Sequence, residues 1–401
     1  MKIFYVNRFS GEDPRLFQYL QDIIANKKDY EILFIGPNEK DERYSSNRYI
    51  EFVHRVWKYD NYVLSIYNYL KKYKPDIIYF NFELRIFGSI KSAIKFPLLL
   101  FLIHFTKTKV VTTLHQIFIE RQDTKWEFFD DYHLINIPKF ILKFLIKIFV
   151  KAVCRYSDKI VIHTHGAKSG LIEYYRIDEK KIEVNHLAIV PNTSINQQKK
   201  KKFEALFNQK KIILCFGLIA PRKGIETAIK SLKIITEKLP DYVLVIAGSS
   251  TEYYRPYENM LRQLTKTLDL EEKIFFTGFL DDDEVNILFN MSEIVVYPYA
   301  PSCSFSYAVL HAIHHNKPTI VTNINTFKEV LQENDALFIE PNNEKQLADA
   351  IFKIATNSDL RTQLRLQMKS ISGNYSWQKT AAKYMKIYEE LATPKDRKSV
   401  V

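Results

Sequence analysis

Cysteine is scarce in this chain and carries no pattern. Cys154, Cys215 and Cys303 stand far apart, with no Cys-x-x-Cys. Such a set makes neither a disulfide framework nor a zinc site, and it fits a reducing cytosol. No Gly-x-Gly-x-x-Gly follows the first strand-like run, which disfavours a nicotinamide enzyme. No Gly-x4-Gly-Lys-Ser/Thr occurs either, which disfavours a P-loop ATPase. The longest clean apolar run, Phe96 to Ile103, is far short of the ~18 residues a membrane span needs. The opening Met1-Lys2-Ile3-Phe4-Tyr5-Val6 enters a strand-like run directly, so no signal peptide is expected. Internal repeats are absent beyond two halves of one domain type.

What is present is a foldable chain too long for a single ordinary core. Its 401 residues suit two or three domains, and its 46% hydrophobic content argues against disorder. The net charge of +12 suggests an anionic partner: nucleic acid, a phosphorylated ligand or anionic lipid. A generally lysine-rich composition explains the charge equally well. No nucleic-acid recognition motif accompanies it, so no nucleic-acid partner is expected.

The second half of the chain has a regular rhythm. Strand-like runs at Lys211 to Phe216, Tyr242 to Ala247, Lys273 to Thr277, Ile294 to Tyr297 and Pro318 to Thr322 alternate with helical patterns. Those helices are expected at about Gly224 to Lys238, Pro256 to Leu268, Asp283 to Asn290 and Ser304 to His314. Such alternation predicts a doubly wound α/β domain with a parallel sheet, whose ligands bind beyond the carboxyl ends of the strands. The first half shows the same rhythm with more insertions, its strands at Lys2 to Val6, Glu31 to Ile35, Ile77 to Phe80, Lys109 to Thr113 and Lys159 to His163. The polar run Gln197 to Lys202 lacks an apolar period and is read as linker. The expected organisation is an N-terminal domain over 1–195, a linker over 196–210, a C-terminal domain over 211–375, a helix over 376–394 that packs back toward the N-terminal domain, and a tail over 395–401. Two α/β halves flanking a cleft place a ligand there by default.

Ordered pieces of the second half resemble one family. They are Phe216-Gly217, Pro221-Arg222-Lys223-Gly224, Val245-Ile246-Ala247-Gly248, Ile274 to Phe279, Val295-Val296-Tyr297-Pro298, Ala312 to Pro318 and Tyr375-Ser376-Trp377. In this order they resemble the C-terminal domain of family 4 glycosyltransferases, which have the GT-B fold of two Rossmann-like domains. Thr112-Thr113-Leu114-His115 and Val184-Asn185-His186 extend the resemblance, more weakly, into the first half. It implies a retaining, metal-independent hexosyltransferase with no cofactor beyond its nucleotide-sugar substrate. The sugar would pass from a nucleoside diphosphate to a glycan or lipid-linked acceptor in cell-surface polysaccharide or glycolipid assembly. The expected location is cytoplasmic, peripheral on the inner face of the cell membrane.

Individual residues carry these expectations. Arg222 and Lys223, after a strand and before a helix, place two cations where a diphosphate can sit, and Gly224 permits close backbone approach. Cys303-Ser304-Phe305-Ser306 is read as a helix start whose N–H groups suit a second phosphate, or as a plain serine cap. The family usually carries two Glu in a Glu-x7-Glu spacing near here; this chain has Cys303 and His311, with Ser304 and Ser306 for the usual glycines. His311 is expected to hydrogen-bond a ribose hydroxyl. The resemblance makes Gly217, Gly224, Gly248, Phe279, Cys303, Ser304, Phe305, Ser306 and His311 donor-binding residues, and His115, Arg222 and Lys223 catalytic ones. His186 lies where relatives have a Pro-His-Gly turn and is read as structural. His163 and His165 are read as strand-end residues, not metal ligands. Asp281-Asp282-Asp283 precedes a helix and is read as a cap. The lost carboxylates leave an alternative: a catalytically silent nucleotide-sugar-binding subunit that partners another transferase.

One more segment stands out. Lys139, Lys143, Lys147, Lys151, Arg155 and Lys159 recur every fourth residue through an otherwise apolar stretch behind Pro138. Its apolar face is wider than one core contact requires. The expectation is a helix at an anionic membrane surface, with Lys139, Lys143, Lys147 and Lys151 among the headgroups. The alternative is a helix buried on most sides.

Overall fold

The structure is a computed structural model that describes residues 1–6, 31–37, 50–57, 62–82, 90–115, 138–188, 196–207, 209–301 and 306–392. They divide into two compact units, one running up to Leu187 and reclaiming the chain from Trp377 onward, the other spanning Ala188–Ser376.

The first unit is built on a seven-stranded sheet of β1 (Lys2–Val6), β2 (Glu31–Pro37), β3 (Ile50–Trp57), β4 (Ile77–Phe82), β5 (Lys109–Leu114), β6 (Lys159–Ile162) and β7 (Ile182–Val184). Its order is β3-β2-β1-β4-β5-β6-β7, and every pairing is parallel. Parallel sheets are covered on both faces, and β4 is buried at each position. The two-residue side-chain period assigns the faces. Phe4, Val6, Ile78, Phe80, Val110 and Ile160 meet the helices Tyr62–Tyr73, Phe96–His104 and Lys139–Tyr156. Ile3, Tyr5, Ile77, Tyr79, Val111 and Val161 point the other way, onto Ala381, Tyr384, Met385 and Tyr388 of the helix Trp377–Ala392. That helix is therefore part of the first unit's core, although it is the last among the described residues.

The second unit repeats the plan with β8 (Lys211–Phe216), β9 (Tyr242–Ala247), β10 (Ile274–Gly278), β11 (Ser292–Tyr297), β12 (Thr319–Thr322) and β13 (Leu337–Ile339). The order is β10-β9-β8-β11-β12-β13, again all parallel. Strand order reverses between β8 and β11, and ligands of open α/β sheets bind at that point beyond the carboxyl ends. The helix Ile225–Ile235 lies behind β8 and buries Ile225, Ile229, Leu232 and Ile235. Burial of each such side chain stabilises by about 1.5–3 kcal/mol.

Two expectations meet a different outcome here. The stretch read as linker is helical over Gln197–Phe207, with Phe203 and Phe207 buried one turn apart and Phe207 edge-on to Phe275 at 5.4 Å. Its lysines point outward, and Lys199 pairs with Asp281. The helix expected from Ser304 instead begins at Ala308, with Ser306 outside it and Tyr307 at its cap.

Candidate functional site

In the second unit, chemistry gathers at the carboxyl ends of β8 and β11. Beyond β8 the chain passes Gly217 and makes a 3-10 turn over Pro221–Lys223. Lys223 is 9% exposed. Its Nζ donates to the Tyr299 hydroxyl at 2.7 Å, and that hydroxyl lies 2.9 Å from Ser306 Oγ. The Tyr299 oxygen accepts from the ammonium, and either hydroxyl can donate in its contact with Ser306. Lys223 Nζ also sits 3.8 Å from where a Cβ on Gly217 would be, so the cation lies over the end of β8. A buried, oriented ammonium at a topological switch point suits an anionic ligand.

Two of the expected glycines are explained by backbone contact within the protein. Gly224 is left-handed at φ 61°, and a Cβ there would stand 1.8 Å from the Pro298 carbonyl oxygen. Gly248, at φ 140°, would place a Cβ 2.0 Å from the Gly217 carbonyl oxygen. Both contacts bring strand-end loops together without side chains between them. Within the protein, the close approach at Gly224 is made to Pro298. Arg222, half-buried, uses its carbonyl to accept from Ala300 N at 3.0 Å, which ties the two loops together. Phe279, just beyond β10, is 82% exposed.

Cys303, Ser304 and Phe305 lie outside the described residues. With the helix beginning only at Ala308, Ser306 precedes it, and its hydroxyl is engaged by Tyr299. The helix-start reading of Ser306 is therefore corrected to a hydroxyl contact. His311 packs among aromatic rings: Phe216 at 5.1 Å and 67°, Phe289 at 5.4 Å and 22°, and Tyr307 at 5.5 Å and 88°.

In the first unit the carboxyl ends of β5, β6 and β7 collect histidines. His115, just past β5, has Nε2 2.6 Å from Asn81 Oδ1 on β4. The His115 and His163 rings lie 4.8 Å apart. His163 Nδ1 donates to the Asn185 carbonyl at 2.8 Å, and His186 Nδ1 donates to the His163 carbonyl at 3.0 Å. Thr380 of the last helix donates to the His186 carbonyl, so His186 helps fasten that helix. Burial, aided by the neighbouring His163, lowers His115 to about 3. Burial lowers His163 to about 4, against the opposing pull of the Asn185 carbonyl. Both rings are therefore neutral near pH 7. His165 opens the helix His165–Glu173, whose cap is Thr164, and its ring lies 5.8 Å from that of His186.

Asp281 caps the helix Asp282–Met291. Its side chain accepts from Glu284 N, and the Glu284 side chain accepts from Asp281 N. The helix Lys139–Tyr156 turns Leu142, Val150 and Val153 into the core but leaves Phe140 73%, Phe144 62%, Leu145 50% and Ile148 50% exposed. Phe105, at the end of the neighbouring helix Phe96–His104, is 70% exposed. Lys151 is exposed and Lys143 half-buried, whereas the Lys147 ammonium lies 4.7 Å from the Tyr174 ring centre and turns inward. The Lys139 side chain is outside the described set. No helix among the described residues is long and apolar enough to cross a membrane.

Asn81, Tyr299 and Tyr384 were not singled out in sequence. Asn81 left one signal, a polar residue inside the apolar run Ile77–Phe82. Tyr299 and Tyr384 left none, because their partners are distant in the chain.

Comparison with known proteins bears on both units. Residues 196–370 match the model described as glycosyl transferases group 1, and residues 25–192 match that of glycosyltransferase family 4. The O-antigen chain mannosyltransferase RfbU of Salmonella typhimurium is 27% identical over 260 residues, 63% of this chain and 67% of that protein. A serotype-specific mannosyltransferase, WbdA of Escherichia coli, is 25% identical over 237 residues, 56% of this chain and only 28% of that longer protein. Among solved structures, a glycosyltransferase from Rickettsia africae superposes with TM-score 0.73 at 19% identity, covering 98% of this chain and 99% of that one. Anabaena HepE in complex with UDP gives 0.70 at 14% identity, covering 97% and 100%.

Proposed function

Because the chain belongs to the family 4 glycosyltransferases, with the GT-B fold, we propose that it transfers a hexose from a nucleoside diphosphate sugar to a glycan or lipid-linked acceptor in cell-surface polysaccharide or glycolipid assembly. The observation that carries this reading is the Lys223 ammonium, held by Tyr299 over the end of β8. Departure of a nucleoside diphosphate develops negative charge, and a preoriented cation in a largely dry site stabilises it without rearranging. Lys223 and Arg222 fill this role in place of a metal ion. Gly217, Gly248, Phe279 and Ser306 line the nucleotide, with Gly224 shaping the loop, and His115 serves the sugar. Transfer proceeds with retention, as the family resemblance implies. The names of RfbU and WbdA make a mannosyl donor the first to test.

The apolar face Phe140, Phe144, Leu145 and Ile148, with Lys151 beside it, supports peripheral contact with an anionic membrane on its cytoplasmic side. A lipid-linked acceptor would be presented there.

The test is thermal stabilisation by UDP, GDP and ADP and by their sugars. Ligand at 100 times its dissociation constant adds about 2.7 kcal/mol to stability. One nucleotide should raise the melting temperature clearly, and no shift with any at millimolar concentration would remove the donor-site reading. A second reading is favoured by His311, which stands among aromatic rings where the family has a carboxylate: a silent subunit that binds donor without turning it over. Slow donor hydrolysis by the purified protein separates the two.

A further inference from the structure

The last helix of the chain reaches the site histidine of the first unit through a buried chain of polar groups. Tyr384 of that helix lies 3.0 Å from Thr113 Oγ1 and 3.3 Å from the Tyr79 hydroxyl, 305 residues away in sequence. Tyr79 donates to Thr113 Oγ1 at 2.8 Å and stands 3.3 Å from Asn81 Oδ1. Asn81 Oδ1 is 2.6 Å from His115 Nε2. Tyr79, Thr113 and Asn81 are all buried.

Proton counting assigns the roles. Tyr79 has one hydroxyl proton, and the 2.8 Å contact to Thr113 takes it ahead of the 3.3 Å contact to Asn81. Asn81 Oδ1, an amide oxygen, can only accept, so the 2.6 Å contact is made by His115 Nε2–H. A neutral imidazole with its proton on Nε2 has an unprotonated Nδ1, and the hydrogen bond at one ring nitrogen sets what the other can do.

We propose that Asn81 is a positioning residue that holds His115 as the Nε2–H tautomer, so that Nδ1 accepts a hydrogen bond from a sugar hydroxyl, and that Tyr384 anchors this arrangement from the C-terminal helix. The proposal rests on the reading that His115 serves the sugar. It adds which nitrogen faces substrate and what fixes it. The imidazole acts as a neutral acceptor rather than as a cation. The C-terminal helix thereby completes the site as well as covering the sheet.

The experiment is nitrogen–proton correlation NMR of the full chain with 15N-labelled histidine, His115 being assigned by its loss in His115→Gln. The wild type should show the Nε2–H tautomer. Asn81→Leu, close in size, should give a tautomer mixture and lower kcat about tenfold or more, by analogy with lost orienting partners of ligand histidines. Asn81→Asp should place a carboxylate beside the ring, raise the His115 pKa, and add an inflection to the pH–rate profile that the wild type lacks. Circular dichroism and melting temperature confirm that each variant is folded. An Nδ1–H tautomer in the wild type, or an unchanged tautomer in Asn81→Leu, overturns the proposal. A changed tautomer with unchanged turnover overturns the substrate role of His115 and leaves the Asn81 contact standing, so the two failures are distinct.

Discussion

Lys223 Nζ and the Tyr299 hydroxyl are 2.7 Å apart, joining the turn after β8 to the loop after β11. A lysine with only 9% exposure has exchanged most of its hydration for this contact and for whatever binds beside it. Lys223→Ala should therefore lower turnover by about 10²–10³-fold, the range seen when one preoriented donor to a developing anion is removed. Tyr299→Phe keeps the ring and loses the hydroxyl. It should reduce turnover by a smaller factor, because the cation remains but is less well aimed. Steady-state kinetics with the identified donor checks both. A folded Lys223→Ala enzyme with wild-type turnover would remove Lys223 from the site.

Acid should weaken the fold through its neutral histidines. Burial holds His115 at about 3 and His163 at about 4, below the ordinary 6.5. His315 is lowered to about 3 by burial and by its neighbours His314 and His311. The unfolded chain therefore binds more protons than the native one between about pH 6.5 and pH 3. Stability that is full above about pH 6.5 is lost as pH falls through that window. Urea midpoints should hold steady from about pH 8 to 7 and drop by about pH 5, with a shallower drop in His163→Gln. A midpoint unchanged between about pH 7 and pH 5 would contradict the neutral assignment.

The legible part of this molecule was its local periodicity. Lys211–Phe216 and Tyr242–Ala247 each end on a glycine before a helical pattern, and both are strands as read. β3, β7 and β13 escaped. Two of them are only three residues long, and a triplet such as Leu337–Ile339 shows no period by itself. The run Gln197 to Lys202 reads as solvated chain because its anchors, Phe203 and Phe207, come after it and bind distant partners such as Phe275. The same limit applies to the site. Lys223 stands out in sequence through its motif, whereas the contacts of Tyr299 with Lys223 and of Asn81 with His115 become visible only once separate strands lie side by side.

Membrane contact, where it occurs, should depend on apolar side chains as much as on charge. Phe144, Leu145 and Ile148 are half exposed or more, and Lys151 stands beside them. Replacing these three by Ser should abolish sedimentation with anionic vesicles. Lys151→Glu should weaken binding severalfold, since one basic residue near an anionic leaflet contributes about 1 kcal/mol. Lys147→Glu should act mainly on stability, because that ammonium lies against Tyr174. Wild-type protein that stays in the supernatant at low salt would reassign the helix to a protein contact.

The acidic run Asp281–Asp283 should matter to folding and not to chemistry. Asp281 caps a helix reciprocally with Glu284 and pairs with Lys199. Asp281→Ala should cost about 1 kcal/mol of stability, as lost caps do, and leave turnover unchanged. Activity should also persist in EDTA. Its loss there, with recovery on adding magnesium or manganese, would show that a divalent ion takes part.

The most discriminating prediction concerns His311 and Cys303, which the family resemblance sets at the positions of its two carboxylates. His311 has two separable properties. Its ring stacks on Phe289 and meets Phe216 edge-on, and its nitrogens are the groups that the family resemblance assigns to a ribose hydroxyl. His311→Ala removes both and should lower the melting temperature as well as raise the Michaelis constant. His311→Phe keeps a ring of similar size and removes the nitrogens. It should melt near the wild type while raising the Michaelis constant about five- to tenfold, the worth of one neutral hydrogen bond. Turnover at saturating donor should change little, because a ribose contact is equal in ground and transition states. Cys303→Ala should keep most activity, since a neutral thiol is a weak hydrogen-bonding group and cannot supply a carboxylate's charge. The electrostatic work then falls to Lys223 and Arg222. If Cys303→Ala abolishes turnover while donor affinity stays intact, the thiol takes part in the reaction. If the wild type turns over no donor yet binds one, the chain is the silent partner of another transferase.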